Sequence, residues 1–324
     1  MAYLLCKKNH QKCYLSAYHV VGRLENAVNT FVEHPEVSKV HFIIEWKSGH
    51  WYITDTSSNG TWLNNVKLKK HTATKIQLDD VINLASKSGN EYVVSNVSAP
   101  SNLLISPSSD KEIKLDLYNL LPDEQSPELS LFYNDVTDQW VAEYLAKTDQ
   151  KIVIQHDDAL RFKGLDWIMK VNSTIDHTVA LRPIIFKISD LVFNFDVTAD
   201  EESTQLILHT ADQKIDFRKY NHHYLSLTLA RKRIADMEQG LDESEQGWMY
   251  IDELSRQLGL AENHINIQVH RARKQFAENI NSDLDQLFER GNGRIRFGSQ
   301  FIKICKAGTT EYAHERITAS ELNS

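Results

Sequence analysis

Residues 40–61 read VHFIIEWKSGHWYITDTSSNGT and contain two segments typical of adjacent β-strands. Val40–Trp46 and Trp51–Thr54 are rich in β-branched and aromatic residues, and the turn-forming Lys47-Ser48-Gly49 lies between them. Similar short segments, separated by turn residues, continue over residues 1–97, and this region has no helical periodicity. The spacing predicts an all-β sandwich or barrel.

The turns of this region carry residues suited to binding a phosphate group. They are Gly22-Arg23, Ser38-Lys39-Val40-His41, Ser57-Ser58-Asn59-Gly60-Thr61 and Asn64. A phosphate dianion is best held by a guanidinium together with hydroxyl and amide donors on preformed loops. Arg23 supplies the guanidinium, Lys39 a second positive charge, and Ser38 and Ser58 the hydroxyl groups.

This order of loop residues resembles the forkhead-associated (FHA) domain over about residues 1–97. The resemblance implies a β-sandwich that binds phosphothreonine. It also implies roles for single residues: phosphate contacts from Arg23, Ser38, Lys39 and Ser58, a contact to the ligand's main chain from Asn59, and loop support from Gly22, His41 and Gly60.

Two positions depart from the family pattern. Asp79-Asp80 stands where the family has a Gly-Asp turn, and Asn65 follows Asn64 where glycine is common. Asn tolerates a positive φ, so we expect the fold to survive both changes. We expect Asp79 to shift its loop away from the usual shape.

Composition limits the remaining possibilities. The chain has 324 residues, 41% hydrophobic and 25% charged, with a formal net charge of −8, so we expect two or three domains. The acidic balance argues against a protein that coats nucleic acid by bulk charge. Its 3 cysteines fit a reducing compartment, and we expect a cytoplasmic protein. No apolar run approaches the roughly 18 residues of a membrane helix, so we expect no membrane partner.

No residue set requires catalysis, a metal or a cofactor, so we expect the protein not to be an enzyme. His222-His223 opens a predicted helix, and neighbours in sequence do not share a helical face, which favours core or capping roles. Cys6, His10 and Cys13 lack the spacing of a zinc site. The sequence has no phosphate-binding glycine loop and no nucleophile elbow.

The middle of the chain is harder to assign. Residues 98–128 contain four of the six prolines and predict a linker, and residues 129–190 return to strand-like segments of no family that we can name. This β-rich segment is a small domain, a degenerate second sandwich or an extension of the sheet that follows it, and the sequence has no repeat of fixed period. Residues 101–218 carry 11 basic against 21 acidic residues, a balance of −10. That charge indicates a solvated surface, or one that competes with anionic ligands for basic parts of the chain.

Residues 191–306 predict strands, three helices and a hairpin, followed by a polar tail over residues 307–324. Ile265, Val269, Ala272 and Phe276 form the apolar stripe of the third helix, and Gly259 ends the second. The order resembles the response-regulator type of winged helix-turn-helix, an α+β domain. The matching strings are residues 266–274, NIQVHRARK, and residues 289–297, ERGNGRIRF, whose turn is Gly291-Asn292-Gly293.

The polar side of the third helix and the hairpin supply candidate DNA-binding residues. Asn266, Gln268, His270 and Arg271 are types that read base edges, whereas Arg273 and Lys274 lie later in the helix and suit phosphate contacts. His264 begins the same face, and Arg290, Arg294 and Arg296 lie on the predicted hairpin. Residues 256–306 carry 9 basic and 5 acidic residues, a balance of only +4. Phosphate contacts dominate DNA affinity, so a charged but solvated face, or a face that binds protein, stays an alternative.

Together these observations predict a multidomain regulator of bacterial type. An N-terminal domain would bind a threonine-phosphorylated partner, and a C-terminal domain would bind DNA, which would link a Ser/Thr kinase pathway to transcription. The alternative is a phospho-dependent scaffold whose winged helix docks protein. The sequence does not indicate an oligomeric state.

Overall fold

The computed structural model describes residues 1–109, 111–145, 151–172, 185–210 and 213–314. The chain divides into two compact units. The first comprises Met1–Leu115, His156–Leu160 and Asp166–Leu181, and the second comprises Asp116–Gln155, Arg161–Leu165 and Arg182–Ser324. Among the described residues, no helix is long and apolar enough to cross a membrane.

Two antiparallel sheets form the N-terminal part of the first unit, as the strand pattern predicts. The strands are β1 Tyr3–Cys6, β2 Lys12–Tyr14, β3 Tyr18–Gly22, β4 Thr30–Phe31, β5 Phe42–Lys47, β6 His50–Asp55, β7 Thr61–Leu63, β8 Val66–Lys67, β9 Thr74–Lys75, β10 Val81–Leu84 and β11 Asn90–Asn96. Their orders are β2-β1-β11-β10-β7-β8 and β4-β3-β5-β6-β9, in which only the short β4 runs parallel to its neighbour. One buried cluster joins Leu4, Ile82 and Val94 of the first sheet to Phe42 and Ile53 of the second, which makes the pair a β-sandwich.

Residues 98–128 differ from the expected linker, because they carry three strands. The next strands are β12 Leu103–Ser106, β13 Lys111–Lys114, β14 Tyr118–Leu121, β15 Leu129–Asn134, β16 Gln139–Tyr144, β17 Lys151–Ile154, β18 Ala159–Phe162 and β19 Leu165–Lys170. They form sheets of order β13-β12-β19-β18 and β14-β15-β16-β17. The prolines that suggested a linker lie between the strands, while Leu103, Leu104 and Tyr118 are buried.

The second unit contains all three α-helices of the described residues. Its remaining elements are β20 Val192–Val197, β21 Thr204–His209, β22 Lys214–Lys219, α1 His222–Glu238, β23 Met249–Tyr250, α2 Ile251–Leu258, α3 Glu262–Asn279, β24 Phe288–Gly291, β25 Arg294–Phe297, β26 Ile302–Lys306 and β27 Thr309–Ala313. The strands form sheets of order β22-β21-β20-β26-β27 and β23-β25-β24. Strand β27 lies in the expected polar tail, of which residues 315–324 fall outside the described residues.

The periodic signals of this region predict its local structure correctly. Ile265, Val269, Ala272 and Phe276 are all buried in one core cluster with both sheets and α1. Gly259 follows α2 with a φ of +65°, a left-handed cap that favours glycine. The hairpin β24–β25 turns at Asn292-Gly293.

Candidate functional site

Three loops of the N-terminal sandwich meet at one edge of a sheet. Strand β3 ends at Gly22, β5 begins at Phe42 and β6 ends at Asp55. These strands are antiparallel neighbours, with Val21 opposite Phe42 and Phe42 opposite Asp55. The loops that carry the predicted phosphate-binding residues therefore leave the sheet side by side.

The backbone of the first two loops is in direct contact. The N–H of Arg23 donates to the carbonyl oxygen of Ser38 at 3.0 Å, and the N–H of Leu24 donates to that of Lys39 at 3.3 Å. A Cβ atom on Gly22 would lie 2.2 Å from the oxygen of Lys39. The close approach therefore requires glycine at position 22 and places Arg23 beside Ser38.

His41 links the second loop to the third. Its side chain is fully buried, Nδ1 accepts the N–H of Ser38 at 3.0 Å, and Nε2 lies 3.1 Å from the oxygen of Gly60. Since Nδ1 accepts, Nε2 carries the proton and donates to Gly60. Burial lowers the pKa of His41, so the neutral ring that this pattern needs is the form present near neutral pH.

A buried carboxylate shapes the third loop. Oδ1 of Asp55 accepts the N–H and the hydroxyl of Ser57 at 3.1 and 2.7 Å and the hydroxyl of Thr61 at 2.8 Å. Oγ of Ser57 accepts the N–H of Gly60 at 2.7 Å, and Gly60 has a φ of +105°, a region that L side chains rarely adopt. Asp55 was not among the predicted site residues. The one sign of its role in the sequence is that an acidic residue ends an otherwise uncharged strand.

Ser58 and Asn59 lie exposed on this loop and are tied to the loop before it. The N–H of Ser58 donates to Oγ of Ser38 at 2.9 Å, and the amide of Asn59 donates to the carbonyl oxygen of Glu36 at 2.7 Å. The Ser38 hydroxyl is used here as an acceptor, so its own proton remains available for a ligand.

Arg23 and Lys39 complete the site with two exposed cations. Among the described residues, neither side chain forms an ion pair. Both belong to the loops whose backbones are hydrogen-bonded, and Ser38 precedes Lys39 and accepts the N–H of Arg23. The edge therefore combines two uncompensated positive charges with hydroxyl groups, which suits a dianion.

The two departures from the family pattern are accommodated by positive φ angles. Asn64 and Asn65 have φ angles of +49° and +66°, and Asp79 has a φ of +67° at the position where glycine is usual. The side chain of Asn64 bonds to Oδ1 of Asp80 at 2.7 Å and accepts the N–H of Val81 at 2.9 Å. The expected tolerance of Asn for this conformation is confirmed.

Helix α3 of the second unit carries most of the candidate DNA-binding residues, and one side of it is covered. Asn266, His270 and Arg273 follow helical spacing along that side. Asn266 accepts a hydrogen bond from Arg290 at 2.8 Å, and the His270 ring lies 5.0 Å from the ring of Tyr118 in β14. His264, Gln268, Arg271 and Lys274 are exposed or half-buried.

Arg273 is not at the surface, in contrast to its expected role in phosphate contacts. The side chain is fully buried, and Nη1 donates to Oε2 of Glu143 at 2.6 Å. Nη2 donates to the carbonyl oxygen of Phe288 at 2.6 Å. Nε of Arg290, whose side chain is 4% exposed, lies 3.8 Å from the other oxygen of Glu143. The sequence could not indicate that Arg273 is buried, because its partner Glu143 lies on strand β16, 130 residues away.

The buried groups around Arg273 have shifted pKa values. Burial alone would raise the pKa of Glu143, but Arg273 and Arg290 outweigh it and lower the value to about 2. Burial lowers the pKa of His270 to about 4, although Glu124 opposes the shift from 3.9 Å. Arg271 reaches the other oxygen of Glu124 at 3.3 Å.

The arginines of the hairpin β24–β25 are also in contact with other groups of the protein, in contrast to their expected role in DNA binding. Arg296 donates to the carbonyl oxygens of Glu243 and Ser244 and pairs with Glu289 at 2.7 Å. Arg294 stacks 5.3 Å from the ring of Trp248 and is half-buried. Of the three, Arg294 keeps the most accessible cation, since Arg290 and Arg296 each bond inside the protein.

His222 and His223 are buried at the start of α1, and both rings lie within 2.9 Å of Oε1 of Gln275. This agrees with the core role that their position predicts. Within the part of the chain that the structure describes, no group of three or more His, Cys, Asp or Glu side chains could hold a metal ion.

Comparison with known proteins identifies one part of the chain. Residues 19–85 match the family model of the FHA domain, and no curated protein matches the chain. Similar solved structures include the N-terminal FHA domain of S. cerevisiae Rad53p in complex with a phosphothreonine peptide, with 22% identity over 30% of this chain and 93% of that chain and a TM-score of 0.28. The FHA domain of an Arabidopsis thaliana hypothetical protein has 30% identity over 31% of this chain and 88% of that chain, with a TM-score of 0.27. Mycobacterium tuberculosis EmbR in complex with a low-affinity phosphopeptide has 22% identity over 30% of this chain and 25% of that chain, with a TM-score of 0.27.

Proposed function

Residues 19–85 are an FHA domain, and from this premise we propose that the protein binds a threonine-phosphorylated partner through the edge formed by its three loops. The observation that carries the proposal is the pair of exposed cations, Arg23 and Lys39, which form no ion pair with any described residue and lie on loops joined through Ser38. A Ser/Thr kinase would supply the phosphorylated ligand, and the cytoplasm is the compartment that such signalling implies.

Different residues of the site are proposed to bind the phosphate and the main chain of the peptide. Arg23 and Lys39 neutralise the dianion, and the hydroxyls of Ser38 and Ser58 donate to its oxygens. Asn59, held by its bond to Glu36, binds the main chain of the peptide. Gly22, His41 and Gly60 keep the loops in place and do not contact the ligand. The loops are hydrogen-bonded to one another, so binding requires little reorganisation.

A library of phosphothreonine peptides and their unphosphorylated counterparts tests this proposal by fluorescence anisotropy with the full chain. Charge-assisted hydrogen bonds contribute about 1.5–3 kcal/mol each, so Arg23→Ala should weaken binding by at least about ten-fold. Lys47→Ala is the matched control, because Lys47 is exposed at the opposite end of β5. Equal affinity for threonine and phosphothreonine peptides, or equal losses in both variants, would reject the proposal.

The second unit supports a second proposed function, binding of DNA by a winged helix-turn-helix domain. The supporting observation is the element order, in which the sheet β20–β22 precedes α1, α2, α3 and the hairpin β24–β25. Lys219, Arg271 and Lys274 line a cavity of about 500 Å³ beside α1 and α3, and Gln268 lies next to them. Cations grouped at this open part of α3 suit a phosphate backbone.

Salt dependence distinguishes this function from the alternative, a phospho-dependent scaffold whose winged helix docks protein. A DNA-binding protein should lose affinity for duplex fragments steeply between 50 and 200 mM salt, by about ten-fold or more for three phosphate contacts. Arg271→Ala and Arg294→Ala should reduce both affinity and slope. Phosphopeptide binding without salt-sensitive DNA binding would support the scaffold.

A further inference from the structure

The strand order of the N-terminal sandwich occurs a second time in the chain. Without the short β4, β7 and β8, the first set has eight strands in chain order, arranged as 2-1-8-7 in one sheet and 3-4-5-6 in the other. Strands β12–β19 are also eight and have the same two orders, β13-β12-β19-β18 and β14-β15-β16-β17. Eight strands can be arranged into two sheets in many other orders. The same order in both sets is therefore a specific similarity.

Backbone hydrogen bonds repeat along with the strands. Four bonds of the first set have counterparts of 2.8–3.0 Å in the second: Leu15 to Ala2 and Leu115 to Asn102, His41 to Val21 and Glu128 to Leu121, Trp46 to Ala17 and Tyr133 to Leu117, and Thr56 to His41 and Leu145 to Glu128. The cross-strand aromatic pairs also correspond, since Trp46–Trp51 and Tyr133–Trp140 both have interplanar angles of 60°. These anchors, together with the strand registers, align β14, β15 and β16 with β3, β5 and β6 of the first set.

The aligned positions at the phosphate-binding edge have changed their chemistry. Gly22 corresponds to Pro122 and Arg23 to Asp123, so a carboxylate replaces the guanidinium. Oδ1 of Asp123 accepts N–H groups within its own turn. An acidic edge repels a phosphate group, and the second set therefore cannot bind phosphothreonine in the manner of the first.

The outer face of the second set differs from that of the first in burial. In the first set, six aligned positions on β3, β5 and β6 are all half-buried, namely Tyr18, Val20, Ile43, Glu45, Tyr52 and Thr54. In the second set all six are buried, namely Tyr118, Leu120, Ser130, Phe132, Val141 and Glu143. Phe132 stands where the first set has the charged Glu45.

Helix α3 covers part of this face. The hydroxyl of Tyr118 lies 3.2 Å from Nη1 of Arg273, and the guanidinium of Arg273 lies 5.4 Å from the centre of the Phe132 ring. Glu143, where the first set has Thr54, forms the buried ion pair with Arg273. The contact thus combines an apolar surface with a carboxylate placed to meet one arginine.

We propose that strands β12–β19 are a second copy of the FHA strand pattern that no longer binds phosphate and uses the outer face of β14–β16 as a docking surface for the basic helix α3 of its own chain. The partner class follows from the chemistry of the face, which is apolar at Phe132 and Val141 and acidic at Glu143 and Glu124. Glu124 extends the surface to the rim, where it meets His270 and Arg271.

The docking has a consequence that rests on the proposed DNA-binding function. The side chains of His270 and Arg273 are buried under protein on one side of α3, so this side cannot enter a major groove while α3 is docked. The carboxylates of Glu124 and Glu143 pair with Arg271 and Arg273 of the helix, which weakens the attraction of these arginines for DNA phosphates. The docked form therefore binds DNA weakly, and release of α3 strengthens binding.

Glu124→Lys tests the docking in the full chain, because Glu124 is exposed and its replacement leaves the buried pair intact. The control is Glu202→Lys, which makes the same change of charge at an exposed position in the turn between β20 and β21. Hydrogen exchange of residues 262–279 reports docking, and anisotropy with a 20-base-pair duplex at fixed salt reports DNA binding. One exposed ion pair changes an equilibrium constant by up to about five-fold. Compared with Glu202→Lys, Glu124→Lys should therefore raise the exchange rate of residues 262–279 and the affinity for DNA by up to about that factor.

The outcomes separate this inference from the function on which part of it rests. Faster exchange together with tighter DNA binding in Glu124→Lys alone supports both. Faster exchange when no variant binds DNA supports the docking surface and rejects DNA binding. Equal exchange of residues 262–279 in the two variants would overturn the docking of α3. Equal gains in DNA affinity in the two variants would overturn the proposal that docking weakens DNA binding.

Discussion

Removal of the Glu143 carboxylate should destabilise the second unit far more than loss of an ordinary ion pair. In Glu143→Gln the charge of Arg273 stays buried, because the side chain is fully covered and a guanidinium keeps its proton inside proteins. The neutral amide no longer balances Arg273 at 2.6 Å or Arg290 at 3.8 Å. Breaking a buried pair in this way costs about 3–5 kcal/mol, whereas an exposed pair contributes about 0–1 kcal/mol.

Urea denaturation followed by circular dichroism measures this cost. With a slope of about 2 kcal/mol per molar urea, a loss of about 4 kcal/mol lowers the midpoint of the second unit by about 2 M. The double variant Glu143→Leu/Arg273→Leu removes the closest buried pair and should be less destabilised than Glu143→Gln, because only Arg290 is then left without its carboxylate. A loss below about 1 kcal/mol in Glu143→Gln, or a double variant as unstable as the single one, would refute the reasoning.

Three further predictions concern other parts of the chain. Gly22→Ala should destabilise the first unit by about 1–3 kcal/mol and abolish phosphopeptide binding, since its Cβ would lie 2.2 Å from the Lys39 oxygen, and retained affinity by anisotropy would contradict this. Burial lowers the pKa of His19 to about 3 and of His223 to about 4, so the folded state binds fewer protons than the unfolded state, whose histidines titrate near pH 6.5. Stability should therefore fall as pH drops from about 6.5 to 4, by up to about 1.4 kcal/mol per pH unit for each histidine, and urea midpoints that do not change between pH 7 and 5 would contradict this. Gly259→Ala should cost about 1 kcal/mol at a φ of +65°, measured by thermal unfolding, and an unchanged midpoint would show that the cap is not strained.

Local signals predicted much of the fold. Alternating strands and turns gave the N-terminal sandwich, and helical spacing placed Ile265 and Phe276 in the core. The phosphate-binding loops were recognisable because Gly22 and Gly60 occupy positions where the backbone tolerates no other residue without strain or collision. Asp55 was missed, because its role as acceptor for a whole loop depends on side-chain geometry and not on spacing.

Long-range pairing explains what the sequence did not predict. Residues 98–128 suggested a linker because their prolines lie at turns, although the strands between those turns pair with partners elsewhere in the chain. The second strand pattern has no sequence period, since its loops differ in length from those of the first. Arg273 looked like a surface residue on the polar side of α3, and only the pairing with Glu143 places it inside.

The most direct test of phosphate recognition is a calorimetric titration of the full chain with one phosphothreonine peptide and its unphosphorylated twin, repeated with Ser38→Ala. The account predicts binding of the phosphopeptide alone, and a loss of about five- to ten-fold in Ser38→Ala, because that hydroxyl both holds the Ser58 N–H and donates to the phosphate. Equal binding of the two peptides, or full affinity without the Ser38 hydroxyl, would contradict it.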